Sequence, residues 1–258
     1  MPRPLRSGLA DLMLVKAQQY NTPAFVASDP VRVPHAFTGK EDREIAGFLA
    51  ATLAWGQRTT ILNSCTRLLA LMDDAPYAFV RNASPADLKS FRTFVHRTFN
   101  GDDAVAFLKG LQHVYRNYGG LENIFRPLPE DAPDTGAHIT RARRLFFEAD
   151  HPARTEKHFA DPARGSAAKR INMFLRWMVR RDQQGVDFGL WQQLTPDQLI
   201  CPLDVHSGRV ARKLGLLRRK QDDWTAAVEL TQHLRRIDPT DPVKFDIALF
   251  GMGVFEKF

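Results

Sequence analysis

The segment from Cys201 to Leu217 has residue types and a spacing that suit a chemical role. Asp204 stands directly before a run of residues with helical spacing, and Gly215 stands where such a helix would stop. A carboxylate at a helix N-terminus accepts amide hydrogen bonds and faces the positive end of the helix dipole. It therefore stays ionised and points in a fixed direction. We interpret Asp204 either as a fixed catalytic charge or as a helix cap alone, and His206 either as a catalyst or as a packing or hydrogen-bonding residue.

Other catalytic and metal-binding patterns are absent from the sequence. There is no P-loop, dinucleotide-binding glycine motif, His-Glu-x-x-His or Gly-x-Ser-x-Gly. Cys65 and Cys201 are too few for a four-thiolate zinc or iron–sulfur site, and the histidines other than His206 lack metal-ligand spacing. We therefore expect no metal and no cofactor. Two cysteines also fit a reducing, cytoplasmic compartment better than a disulfide scaffold.

The apolar residues that must position these side chains repeat with helical spacing along nearly the whole chain. Clear stripes run over residues 61–72, 171–179 and 224–234, and no convincing alternation of period two occurs. The only brief alternation, over residues 91–99, is short and isolated. The sequence therefore predicts an all-α protein with nine to twelve helices.

Prolines and glycines mark the predicted breaks between helices. Prolines 23, 30 and 34 predict an extended stretch after the first helix, because a residue that precedes proline disfavours the helical region. Three further prolines predict a loop from Arg126 to Gly136, and Asp161–Gly165 reads as a turn before a strong helix. We expect one compact unit over residues 1–258, with lobes at residues 41–160 and at residues 1–40 plus 161–258.

Composition limits the class of protein and the kind of partner. The chain has 258 residues, 44% hydrophobic and 25% charged, which excludes a disordered or collagen-like chain. No apolar run approaches the roughly 18 residues of a membrane span, and no secretory signal is recognisable. The net charge of +7 favours a polyanionic partner, nucleic acid first. Three basic clusters, at residues 141–144, 176–181 and 218–220, are either solvated helix faces or contacts to such a partner.

Four segments resemble the bacterial family known as domain of unknown function 2400. They are Glu44–Arg58, Phe94–Asn100, Asn172–Met178 and Pro202–Gly208. The match is specific and covers most of the chain.

Three shorter segments also resemble the helix-hairpin-helix DNA glycosylases. These are Leu203–Leu216, Phe48–Leu62 and Pro162–Ile171. The archaeal 8-oxoguanine glycosylases, which also lack a metal cluster and have a divergent hairpin, are the most similar members. The resemblance implies a fold of two helical lobes with a cleft between them. It also implies that Asp204 is catalytic and that Gln57 and Arg58 lie in a short polar turn that approaches DNA.

The hairpin departs from the pattern of this superfamily. A typical hairpin has two glycines whose amides grip a DNA phosphate, but only Gly165 is present here, followed by Ser166. Bifunctional members carry their lysine two residues after the second glycine. If Gly165 is that glycine, the matching residue is Ala167, and Lys169 comes two residues later. Lys169 is therefore either the nucleophile or an exposed helix lysine, 35 residues before Asp204.

The resemblance implies a DNA N-glycosylase that flips a damaged base, such as an oxidised purine, out of duplex DNA and excises it. Abasic-site lyase activity is expected if Lys169 reaches the sugar. His206 and Arg209 would contact DNA. Trp55, Trp177 and Trp191 are each either a core residue or a residue that stacks on the flipped base. The alternatives are a non-catalytic DNA- or RNA-binding protein on the same scaffold and a protein-interaction module. We expect a monomer, nucleoid-associated if it binds DNA.

Overall fold

A computed structural model describes residues 7–131 and 133–258, and these residues form helices with no β-strand among them. The prediction of an all-α protein is confirmed. The α-helices are α1 (Leu9–Tyr20), α2 (Pro23–Ser28), α3 (Arg32–His35), α4 (Lys40–Leu53), α5 (Arg58–Ala70), α6 (Pro76–Asn82), α7 (Gly101–Asn117), α8 (Leu121–Phe125), α9 (Gly136–Phe146), α10 (Lys169–Val179), α11 (Val205–Leu214), α12 (Trp224–Arg235) and α13 (Phe245–Val254). Several are one or two turns long, too short to show an apolar repeat, so the predicted nine to twelve helices were too few.

The chain divides into two compact units. One, the terminal unit, consists of Met1–Phe25 and Arg164–Phe258, and the other, the central unit, consists of Val26–Ala163. Helices α1 and α10–α13 belong to the terminal unit, and α3–α9 belong to the central unit. The Asp204 segment and the Lys169 segment therefore lie in one unit, while Gln57 and Arg58 lie in the other.

In the terminal unit, α13 packs against both α1 and α11. Gly251 makes the close approach to α1 possible, because a Cβ at this position would lie 2.2 Å from Cδ2 of Tyr20. Trp177 is fully buried, and Trp191 is buried with its ring edge-on to Phe174. Both tryptophans are therefore core residues, the first of the two interpretations given above, and neither ring is exposed to stack on a flipped base.

The core of the central unit is a cluster of phenylalanine rings. Phe48 lies within ring-contact distance of Phe107, Phe146 and Phe159. Gly110 leaves room for this cluster, because a Cβ there would lie 2.5 Å from Cζ of Phe146. Trp55, the third tryptophan considered above, is half-buried in this unit and stacks on the His158 ring at 5.8 Å between centroids.

Two of the three prolines after α1 lie in short helices, and the predicted extended stretch is wrong. Pro23 is the first residue of α2, and Pro34 lies in the single turn of α3. The missing N–H and fixed φ of proline suit the first turn of a helix, where no intrahelical acceptor is needed. The loop predicted from Arg126 to Gly136 is confirmed over residues 126–131 and 133–135, since α8 ends at Phe125 and α9 begins at Gly136, and the rest of the predicted loop lies outside the described residues.

Cys65 and Cys201 are both buried free thiols. Burial raises the pKa of the Cys65 thiol to about 12, so it stays protonated and unreactive at neutral pH. Among the described residues, no three histidine, cysteine, aspartate or glutamate side chains are grouped to hold a metal ion. In the same residues, no helix combines the length and apolarity needed to cross a membrane.

Candidate active site

Asp204 occupies the N-cap position of α11, as the residue spacing predicts. Its Oδ1 accepts hydrogen bonds from the backbone amides of His206 at 2.9 Å and Ser207 at 3.0 Å. The Ser207 hydroxyl in turn accepts from the amide of Asp204 at 2.9 Å, which completes a capping box. Gly215 ends the helix in the left-handed conformation with φ of +77°. The carboxylate is thus fixed through one oxygen, and Oδ2 remains for another partner.

Lys169 supplies that partner. Its Nζ lies 3.6 Å from Oδ2 of Asp204, and each side chain is 27% exposed. Nζ also lies 3.7 Å from the Sδ atom of Met173, one turn further along α10. The pair joins residues that are 35 positions apart in the sequence, and solvent can still reach both groups.

The ionisation state of the Asp204 carboxyl follows from these contacts. Burial opposes ionisation of the Asp204 carboxyl, but the Lys169 ammonium and the two amide donors outweigh it, so the pKa lies below its ordinary value. Asp204 is therefore a carboxylate at neutral pH. Lys169 is the first residue of α10. The geometry thus places an amine beside a fixed negative charge, an arrangement that suits a nucleophile and its neighbouring base.

The segment that the resemblance assigns to the hairpin, residues 162–168, leads into the start of α10. It begins with a single 3₁₀ turn at Pro162–Arg164, and Gly165 then adopts φ of +82° with open space around it. The Gly165 carbonyl accepts from the amide of Trp224 at 3.0 Å, and the Ser166 hydroxyl accepts from the amide of Ala168 at 3.2 Å. Gly165 and Ser166 are both exposed, so their backbone is accessible to a ligand.

Ala168, which precedes Lys169, is a non-glycine residue in the left-handed region. Its φ is +47°, it is buried, and it forms the N-cap of α10 without a side-chain hydrogen bond. This conformation costs roughly 1–2 kcal/mol for a residue with a Cβ. Such strain persists where the surrounding structure enforces it, and it is concentrated at functional sites.

His206 and Arg209 lie on the exposed face of α11, which begins beside Asp204. The His206 side chain is exposed, and only its backbone amide contacts the carboxylate. Arg209 donates from Nη2 to the carbonyl of Gly253 at 3.1 Å, so its guanidinium is held while its side chain stays exposed. Val205, the first residue of the helix, is 72% exposed.

Gln57 and Arg58 start α5 in the central unit. Gln57 is exposed at the N-cap position, and its side chain makes no capping hydrogen bond. Arg58 donates from Nη1 to the Ser28 hydroxyl at 3.2 Å. Gly56 precedes them with φ of +102°, so these residues follow a tight turn.

A family model described as "Protein of unknown function (DUF2400)" matches residues 29–255. The matched range includes Gln57, Lys169 and Asp204. The chain belongs to this family. No curated protein and no solved structure matches this DUF2400 chain.

A buried network of charged side chains lies further along α10 than Lys169. No sequence motif predicted this network. Arg176 binds Asp187 through Nε at 3.3 Å and Asp246 through Nη1. Arg180 binds Asp187 at 3.0 Å and Asp241 at 2.9 Å. Both arginines are buried. The basic cluster at residues 176–181 is therefore neither a solvated helix face nor a polyanion contact at these two positions, because carboxylates from other segments neutralise it.

In this network, Asp246 has a pKa that depends on the charges of Lys169 and Asp204. Burial raises the pKa of its carboxyl to about 6, the charges of Arg176 and Lys169 oppose this shift, and those of Asp204 and Asp187 add to it. The sequence offered one signal for this residue, since Asp246 is the only charged residue in the otherwise apolar α13. This DUF2400 chain thus holds a second carboxyl within electrostatic reach of the Lys169–Asp204 pair.

We expect Asp246→Asn to change how the stability of the protein depends on pH. The folded state binds the Asp246 proton more tightly than an unfolded chain does, so wild-type stability falls as the pH rises from about 4, the unfolded value, through about 6. Asparagine cannot ionise. Relative to the variant, the wild type should therefore lose up to about 3 kcal/mol of unfolding free energy over this interval. Urea unfolding at a series of pH values measures the difference, and a difference independent of pH contradicts the prediction.

Proposed function

We propose that this DUF2400 protein excises a damaged base from duplex DNA, with Asp204 and Lys169 as its catalytic residues. The observation that carries the proposal is the 3.6 Å contact between Lys169 Nζ and Asp204 Oδ2, in a position that solvent can reach. The helix-hairpin-helix glycosylases, which three segments of this sequence resemble, use a lysine near the hairpin and an aspartate at a helix start. Here the fold brings these two residue types together across 35 positions of sequence.

The contact also favours one alignment of the divergent hairpin. If Gly165 is the first glycine and Ala167 stands in place of the second, Lys169 falls two residues after it, where the superfamily has its lysine. The other alignment puts Ala167 at the lysine position, and Ala167 is a buried residue without a nucleophile. We therefore assign Lys169 as the nucleophile.

The chemistry requires that the base first leave the helical stack, because the glycosidic bond is unreachable inside a duplex. Asp204 stabilises the positive charge that grows on the sugar and can take the proton that the Lys169 ammonium must lose. The Lys169 nitrogen then bonds to C1′ while the C1′–base bond breaks, and the base leaves with the bonding electrons and acquires a proton. Ring opening gives a Schiff base, and loss of a C2′ proton expels the 3′ phosphate and cuts the strand.

The same proposal includes the features that the resemblance implies for the rest of the molecule. These are a glycosylase-type fold with a cleft between two helical lobes, an oxidised purine as the excised base, and DNA contacts from Gln57, Arg58, Gly165, Ser166, His206 and Arg209. The net charge of +7 supports a polyanionic partner. The exposed backbone at Gly165 and Ser166 supports a phosphate contact at the hairpin.

Duplexes that each carry one defined lesion test the proposal. We expect the protein to release the base from at least one oxidised-purine duplex and to cut that strand without added alkali, as seen on a denaturing gel. An undamaged duplex of the same sequence is the control. Tight duplex binding without base release from any lesion would instead support the non-catalytic alternative. Failure to bind duplex at low salt would contradict both.

A further inference from the structure

The central unit contains a tight turn at residues 95–98 that the proposed chemistry does not use. The amide of His96 donates to the carbonyl of Phe99 at 2.8 Å, and the amide of Phe99 donates back at 2.9 Å. His96 and Phe99 are buried, and the His96 ring contacts the Ser64 hydroxyl at 2.9 Å and the Trp55 ring at 4.7 Å. These two anchors leave Arg97 at the exposed tip of the turn.

Arg97 is held in a conformation that arginine rarely adopts. Its φ is +54°, in the left-handed region, which costs roughly 1–2 kcal/mol for a residue with a Cβ. The side chain lies over the turn before Gln57, because a Cβ on Gly56 would come within 3.0 Å of the Arg97 Nη1 atom. A glycine would relieve this strain, so the arginine at the tip points to a role for its side chain.

Two more guanidinium groups hold the ends of the same turn. Arg67 donates from Nη2 to the carbonyl of Val95 at 2.8 Å, and Arg154 donates from Nη2 to the carbonyl of Thr98 at 3.1 Å. Arg154 is neutralised by Asp103 at 2.8 Å. No carboxylate in residues 7–131 and 133–258 pairs with Arg67 or Arg97. The turn therefore carries uncompensated positive charge.

We propose that the 95–98 turn, with Arg97 at its tip, binds a phosphate of the duplex DNA backbone beside the Gln57 turn. Uncompensated arginines on an exposed turn fit an anionic partner, and a guanidinium matches phosphate geometry. The N-terminus of the 13-residue helix α5 begins next to Arg97 and adds amide donors and the positive end of a helix dipole. This inference rests on the proposed function for the choice of duplex DNA as the partner.

Arg97→Gly tests the inference, because it removes the cation and the backbone strain together. The melting temperature should stay the same or rise. Affinity for an undamaged duplex should fall about fivefold to tenfold at about 0.1 M salt, and the slope of log K against log salt should lose about 0.9, one phosphate contact. Arg97→Lys should keep most of the slope, since it keeps the charge. Fluorescence anisotropy titrations between about 50 mM and about 200 mM salt measure both quantities.

Arg116→Ala is the control, because it removes an equal charge from an exposed position on α7 of the same unit. It should leave the slope unchanged. Equal slopes for wild type and Arg97→Gly, or equal losses in Arg97→Gly and Arg116→Ala, overturn the inference. Tighter binding of the wild type to single-stranded RNA than to duplex DNA also overturns the inference. If Arg97→Gly behaves like wild type while lesions are excised, only this inference fails. If it shows the expected loss while no base is released, only the proposed activity fails.

Discussion

Asp204→Asn should lower the rate of base excision at least about a hundredfold while the protein stays folded. One fixed charge that stabilises a growing opposite charge contributes roughly 3 kcal/mol or more to a reaction rate. Asparagine has nearly the same size and can still accept the amides of His206 and Ser207, so the helix cap survives with little loss of stability. Duplex binding should hold or tighten, because a negative charge near the phosphates is removed. Single-turnover assays on a duplex that the wild type cleaves measure the rate.

Asp238→Asn provides a closely matched control in the same unit. Asp238 also accepts two backbone amides, those of Thr240 and Asp241, through Oδ1, and its Oδ2 also pairs with a lysine, Lys244. Its replacement makes the same chemical change at a similar Asp–Lys pair outside the proposed site. We expect excision at the wild-type rate. If Asp204→Asn also excises at that rate, Asp204 is only a helix cap.

Lys169→Gln should abolish strand cutting and lower base excision at least about a hundredfold, since the nucleophile is removed. Glutamine is polar and uncharged, and its amide cannot form a Schiff base. A denaturing gel run with and without hot alkali separates the two activities. Base loss without cutting appears only in the alkali-treated lanes. Lys244→Gln is the matched control and should cut like the wild type. Cutting without alkali by Lys169→Gln would assign the nucleophile elsewhere.

The helix that carries Asp204 could be predicted because its signals are local. A capping residue, an apolar repeat and a terminal glycine lie within twelve residues, from Asp204 to Gly215. The contact between Asp204 and Lys169 depends on how α10 and α11 pack, and no periodicity encodes that packing. Only the resemblance to glycosylases suggested that these two residues act together, and the missing second glycine left the position of the lysine open.

Whether an arginine is exposed or buried in an ion pair depends on partners that lie far from it in the sequence. Arginines on a helix usually face solvent, and Arg176 and Arg180 are buried because Asp187, Asp241 and Asp246 meet them from other segments. The sequence did not predict the turn at Arg97 either, because a left-handed turn position is usually predicted from a glycine or an asparagine. The brief alternation over residues 91–99 reflects a 3₁₀ segment and this turn, with buried anchors at His96 and Phe99.

In the proposed mechanism, the amine of Lys169 attacks the sugar of a damaged nucleotide beside Asp204. Borohydride reduction during the reaction converts the Schiff base into a stable bond between protein and DNA, and mass spectrometry of the digested adduct locates the modified lysine. We predict one modified peptide, carrying the DNA remnant on Lys169, and none when the lesion is omitted. A remnant on any other lysine, or base release without an adduct, would contradict the assignment of Lys169 as the nucleophile.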